Sequence, residues 1–251
     1  MKTAQELISE IDQTLTVTPT LWWLGHAAFV VKFANITFYV DPCLSRAGAP
    51  LEGKDVKHAD MILATHGHPG HLDGPAIAGM LEGSKGAKVI LPKSAADAAH
   101  AQGIPYARMT TTDSDLRVEY FKGNLYGRVY AVPSAHPQLD WTAAGGFPYL
   151  GYLIRFGRWT IYHAGDCVNY EGLANRLRPY NVNVALLPVG GKNFSANEAA
   201  QLAEDIGAGW LAPMHCNPGE ESDLVTHMLG QRPEQQFKVF AVGEKWTVPE
   251  E

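Results

Sequence analysis

Apolar positions along the chain recur in two rhythms. Short runs rich in branched and aromatic side chains stand at 36–40, 59–65, 128–132, 159–163 and 209–214. Such runs predict buried strands. Between them, apolar residues at helical spacing predict helices at 73–81, 93–102, 170–177, 195–206 and 221–229. At the start, Leu7, Ile8, Ile11 and Leu15 predict one apolar face of a short amphipathic helix. The alternation of strand and helix argues for an α/β architecture. The phrase at 36–43 faintly echoes that at 159–167, which suggests two similar halves facing each other.

The 251 residues are 46% hydrophobic, enough to bury a large core. No Pro/Gly/Ser linker or low-complexity tract divides them, so one domain over 1–251 is expected. Glu6, Glu10 and Asp12 interrupt the first stretch, which argues against a signal peptide or membrane anchor. Three cysteines at no disulfide-like spacing suit a reducing compartment, and a cytoplasmic protein is the expectation.

Candidate chemistry concentrates in the run Ala64-Thr65-His66-Gly67-His68-Pro69-Gly70-His71-Leu72-Asp73-Gly74. Neutral imidazole is a common ligand of transition metals. In extended backbone His66 and His68 project to the same side, and Pro69-Gly70 forces a turn that swings His71 back toward them. More ligands are needed for a metal centre, and His136, Asp166 and His215 each end an apolar run, where α/β folds place their sites. His163 faces the substrate or supports the ligands, or is a satisfied strand histidine. His26, beside an early strand turn, is a second candidate supporting group. Cys167 and Cys216 follow Asp166 and His215 directly. Adjacent strand residues point to opposite faces, so both thiols are expected to turn away into packing.

This constellation resembles the metallo-β-lactamase superfamily from about Trp23-Leu24-Gly25-His26 to Trp246. The signature His-x-His-x-Asp-His is similar to His66-Gly67-His68-Pro69-Gly70-His71, and the family's later ligands fall on His136, Asp166 and His215. Asp41-Pro42, the segments 149–154 and 161–166, Ala185-Leu186-Leu187-Pro188-Val189-Gly190-Gly191 and the helix at 197–203 resemble the L-ascorbate-6-phosphate lactonase-like hydrolases. The resemblance implies a four-layer αββα sandwich with the site in the cleft between its halves. It also implies metal-dependent hydrolysis of a small lactone, ester or phosphorylated metabolite, with Asp166 and His163 or His215 assisting proton transfer. Zinc is the favoured cation, with manganese, iron and nickel as alternatives.

One departure stands out: the signature aspartate would occupy position 70, and the chain has Gly70. The expectation is one tight metal site from His66, His68, His136 and Asp166, and a second, weak or absent, from His71, Asp166 and His215. Asp73 would compensate only by folding back, and it reads instead as the cap of the helix that follows. The missing carboxylate also admits a non-catalytic metal or ligand sensor. A net charge of −6, with scattered lysine and arginine, disfavours the superfamily's nucleases, because phosphate-backbone binders carry a basic face. The expected partner is therefore a small-molecule substrate, with no membrane or nucleic acid, in a chain open to homo-oligomerisation. Lys192 and Asn193, after two glycines, are candidates for holding an anionic group. Trp141 and Phe147, in the glycine-containing segment 138–148, are candidate walls of a substrate-covering loop.

Overall fold

The structure, a computed structural model, describes residues 2–216, 226, 230 and 234–250. The predicted helix at 221–229 lies outside the described residues except at Thr226. The first half comprises α1 (Ala4–Gln13), β1 (Thr20–Gly25), β2 (Ala28–Phe33), β3 (Ile36–Val40), β4 (Met61–Leu63), α2 (Gly74–Gly83), β5 (Lys88–Pro92), α3 (Ala96–Ala101) and β6 (Met109–Thr112). The second comprises β7 (Arg117–Lys122), β8 (Leu125–Pro133), β9 (Leu150–Phe156), β10 (Trp159–His163), α4 (Leu173–Leu177), β11 (Val184–Pro188), α5 (Ala196–Asp205) and β12 (Trp210–Met214), followed by β13 (Gln236–Phe237) and β14 (Lys245–Thr247). They form two seven-stranded sheets, ordered β14-β1-β2-β3-β4-β5-β6 and β13-β12-β11-β10-β9-β8-β7.

The central strands are buried on both faces, and their alternation divides three apolar layers. Leu21, Phe29, Phe38 and Val40 of the first sheet meet Val129, Ile154, Ile161, Leu186 and Ala212 of the second between the sheets. One residue out of phase, Trp22, Val30 and Tyr39 turn the other way, onto Leu7 and Ile11 of α1 and Ile77 and Met80 of α2. On the far side Leu153, Tyr162 and Leu187 pack on Leu173, Leu177, Ala199 and Leu202 of α4 and α5. Helix, sheet, sheet and helix are thus held by three cores, the αββα sandwich. Strands sealed on both faces carry near-continuous apolar runs.

The echo between 36–43 and 159–167 is structural. β3 pairs antiparallel with β2 and parallel with β4, and β10 pairs antiparallel with β9 and parallel with β11. Asp41 and Asp166 follow these matched strands at the same end of the sandwich.

Two expectations are corrected. Leu15 lies beyond α1 and is 67% exposed, because Thr14 caps the helix by donating its N–H to Glu10 O and Ile11 O. The helix expected at 170–177 begins only at Leu173, after Gly172 in a left-handed conformation. Asp73 caps α2 by accepting from the Ala76 N–H at 3.0 Å, and it also accepts from the Ser45 N–H and hydroxyl. Its charge is therefore spent away from the histidines. No helix among the described residues is long and apolar enough to cross a membrane.

Candidate metal centre

The histidine loop leaves β4 and reverses where the sequence predicts: the His71 and Leu72 N–H groups both donate to His68 O, closing the turn across Pro69-Gly70. His66 and His71 are thereby brought within 4.0 Å, ring centre to ring centre, and His66 and His68 within 4.6 Å. His136 enters from the end of β8, with its ring 5.5 Å from that of His68. His215, one residue past β12, stacks 5.5 Å from His71. All six candidate ligands converge at one end of the cleft.

Asp166 organises them. Its Oδ1 lies 3.3 Å from Nε2 of both His71 and His215, and its Oδ2 lies 3.7 Å from Nε2 of both His66 and His136. The two oxygens face different pairs of imidazoles. A tetrahedral ion with bonds of about 2.0–2.1 Å holds its ligand atoms roughly 3.3–3.4 Å apart, so the spacing around Oδ1 already matches. The atoms also lack other work: among the described residues, His66 Nε2 and Asp166 Oδ1 are buried with no hydrogen-bond partner. Buried polar atoms are ordinarily paired, and a bound cation accounts for these. The donor set of imidazoles and one carboxylate suits zinc, iron or nickel.

The electrostatics point the same way. Burial holds His66 and His136 below the usual imidazole range, so both are neutral at pH 7, the form that binds metal. Burial also opposes the charged form of His71, but the Asp41 and Asp166 carboxylates overcome it and push the imidazole up to about 9. For Asp166, burial favours the neutral acid, yet the imidazole of His71, with Nε2 3.3 Å from Oδ1, and the charges of His215 and His66 drive it well below the carboxylate range. In the metal-free chain a proton on His71 supplies the positive charge this anion demands.

His163 is corrected from its expected part in proton transfer. It is fully buried, with Nε2 donating to Ala27 O at 2.8 Å and Nδ1 accepting from the Gly165 N–H at 3.2 Å. Both nitrogens are committed, and the ring ties β10 to the β1–β2 turn. Asn193 also does structural work, its Oδ1 accepting from the Cys167 N–H beside Asp166. Lys192 is exposed, with its charge acting on His136. Trp141 is 58% exposed on the β8–β9 loop, whereas Phe147 packs on the inter-sheet core. Cys167 and Cys216 turn to the α4/α5 layer, away from the imidazoles.

Residue-by-residue reading undervalued three side chains. Asp41, fully buried, accepts from the Thr65 N–H and hydroxyl and from His71 Nδ1, all at 2.7 Å. Its signal was the echo that sets it opposite Asp166. Tyr149 lies against His66 and His136 with ring centres 5.1 Å from each; a lone tyrosine before a strand carries no mark of that. His26, expected only to support the ligands, stands 3.9 Å from the His215 ring.

A fold of this kind, with imidazoles gathered around a strand-end aspartate, defines a class, and comparison with known proteins agrees. The chain belongs to the metallo-β-lactamase superfamily: residues 20–215 match the family described as the β-lactamase superfamily domain. It is 30% identical over 199 residues to a UPF0173 metal-dependent hydrolase of Caldivirga maquilingensis, covering 78% of this chain and 82% of that one. A protein of the same description from Myxococcus xanthus is 32% identical over 203 residues, covering 79% and 70%. In structure the chain is similar to Igni18, a metallo hydrolase of Ignicoccus hospitalis, with a TM-score of 0.74 at 20% identity over 93% of this chain and 100% of that one.

Proposed function

We propose that the chain is a metal-dependent hydrolase of a small lactone, ester or phosphorylated metabolite, close in type to the L-ascorbate-6-phosphate lactonase-like enzymes. The observation that carries this reading is the set of buried, unpartnered donor atoms around Asp166. His66, His68, His136 and Asp166 would hold the principal cation, with zinc favoured. Such an ion supplies Lewis acidity, polarising a carbonyl or phosphoryl oxygen and lowering the pKa of water from ~15.7 to about 7.

The chain's own groups supply the rest. Asp166 remains ionised at any pH where the enzyme would work, so it would hold the cation and orient the water as a hydrogen-bond acceptor. His215, whose side chain is 25% exposed, borders the pocket beside Asp166. Lys192 lies at the rim, where it attracts an anionic substituent, and Tyr149 walls the pocket beside His68. Trp141, on its exposed loop, supplies an apolar cover.

The test is metal analysis with turnover on a panel of sugar lactones, aryl esters and bis-p-nitrophenyl phosphate, for wild type, His68→Ala and Asp166→Asn. Wild type is expected to carry metal and to hydrolyse lactones or esters faster than the phosphodiester, with both variants folded and inactive. Substantial turnover in both variants, or a metal-free wild type with no hydrolysis after reconstitution with zinc, overturns the reading.

A further inference from the structure

His26 has no part in the site just described, yet its geometry is that of a ligand. It occupies the β1–β2 turn at φ +54, a conformation uncommon for a residue with a side chain. Of the six non-glycine residues with positive φ among those described, His26, Asp41 and His215 belong to this one cluster. Such backbone is strained and persists where surrounding structure enforces it, commonly at functional sites. The turn is fastened from two sides, because His26 O accepts from the His215 N–H at 3.1 Å and from Trp23 Nε1–H at 2.8 Å. The imidazole is thus delivered to a fixed place.

That place is beside His71 and His215. Each of the three offers a nitrogen, and these nitrogens all lie within 4.8 Å of one another. Nε2 of His71 and of His215 are both 3.3 Å from Asp166 Oδ1, itself buried and unpartnered. His26 Nδ1 is likewise buried without a hydrogen-bond partner among the described residues. The absence of a side chain at position 70 makes room: a Cβ on Gly70 would stand 2.9 Å from His26 Cε1. A residue-70 side chain would have to push the imidazole from its present place.

We propose that His26 is a metal ligand, completing with His71, His215 and Oδ1 of Asp166 a second cation position that has no need of a carboxylate at residue 70. This replaces the expectation of a weak or absent second site. It rests on the proposed function only in that Asp166 is shared with the first cation through Oδ2. Both positions then have one donor set, three imidazoles and the shared carboxylate. That set favours zinc, iron or nickel over manganese, which prefers oxygen ligands.

The experiment compares zinc stoichiometry by elemental analysis after zinc loading and desalting, in wild type, His26→Asn, His136→Ala and His26→Asn/Gly70→Asp. Asparagine tolerates the left-handed conformation, and melting curves confirm folding. The expected result is two zinc ions per chain in wild type and one in His26→Asn. The double variant regains the second ion, because the aspartate enters the space the imidazole leaves. Cobalt substitution should show the d–d spectrum of one position disappearing in His26→Asn and the other in His136→Ala. Two ions retained in His26→Asn, or a single ion in wild type whose affinity His26→Asn leaves unchanged, overturns the proposal while the hydrolase reading stands. No ion in wild type overturns both.

Discussion

A carboxylate oxygen of Asp41 lies 2.7 Å from Nδ1 of His71, and both side chains are buried. An ionised carboxylate only accepts, so Nδ1 carries a proton, and Nε2, 3.3 Å from Asp166 Oδ1, is the nitrogen that would give up its proton to offer a metal its lone pair. In Asp41→Asn the amide oxygen must stay on the Thr65 N–H that Asp41 Oδ1 now serves. The amide NH2 then faces His71 Nδ1 and forces the opposite tautomer, with Nε2 protonated. Loss of such a partner typically lowers metal affinity by roughly 10–100-fold. The variant is expected to fold and to show that loss in a competitive chelator titration. Unchanged affinity would mean that Asp41 has no part in orienting the ligand.

Asp166 depends on the backbone before it. Gly165 has φ +63, and a Cβ there would meet Thr65 Cβ at 2.8 Å and Leu150 O at 2.9 Å. Gly165→Ala must therefore move the chain that carries the shared carboxylate. Backbone strain of this kind costs about 1–3 kcal/mol, to be read in urea denaturation, and metal content should fall with it. A variant of normal stability and full metal content would contradict this reading.

How much was legible in the sequence follows from what each residue's role depends on. His66, His68, His71, His136, Asp166 and His215 sit at the ends of apolar runs, and strand ends converge at one edge of such a sandwich, so local pattern sufficed for their placement. The layers were legible because β3, β10 and β11 are apolar on both faces. Contacts across the cleft were not. Nothing near residue 163 announces that its imidazole binds Ala27 O, 136 residues away. Nor does Gly70 announce that its missing side chain makes room for His26. The helix end before Leu15 was misjudged because Leu15 continues the apolar spacing while the chain has already turned at Thr14.

Removing bound metal should destabilise the whole fold, because the cluster joins β1, β4, β8, β10 and β12, which belong to both sheets. A ligand present at about 1,000 times its dissociation constant contributes roughly 4 kcal/mol. For a chain of this size each kcal/mol shifts the melting temperature by about 2–4 °C. Exhaustive chelation is therefore expected to lower it by roughly 8–16 °C, with recovery on adding zinc. A melting curve indifferent to chelator, in protein shown to carry metal beforehand, would place the ion outside this cluster.

His163 separates a structural from a chemical role most cleanly. His163→Leu keeps much of the buried volume but leaves Ala27 O and the Gly165 N–H without the partners they have now, at 2.8 and 3.2 Å. An unsatisfied buried group costs about 1–3 kcal/mol, so a clear loss in urea denaturation is expected. Because both ring nitrogens are engaged by the protein, the surviving enzyme should keep the wild-type shape of its pH–rate profile, though its rate falls as the turn bearing His26 loosens. A profile that lost one limb in this variant, with stability intact, would restore His163 to the proton-transfer role suggested by its place beside Asp166.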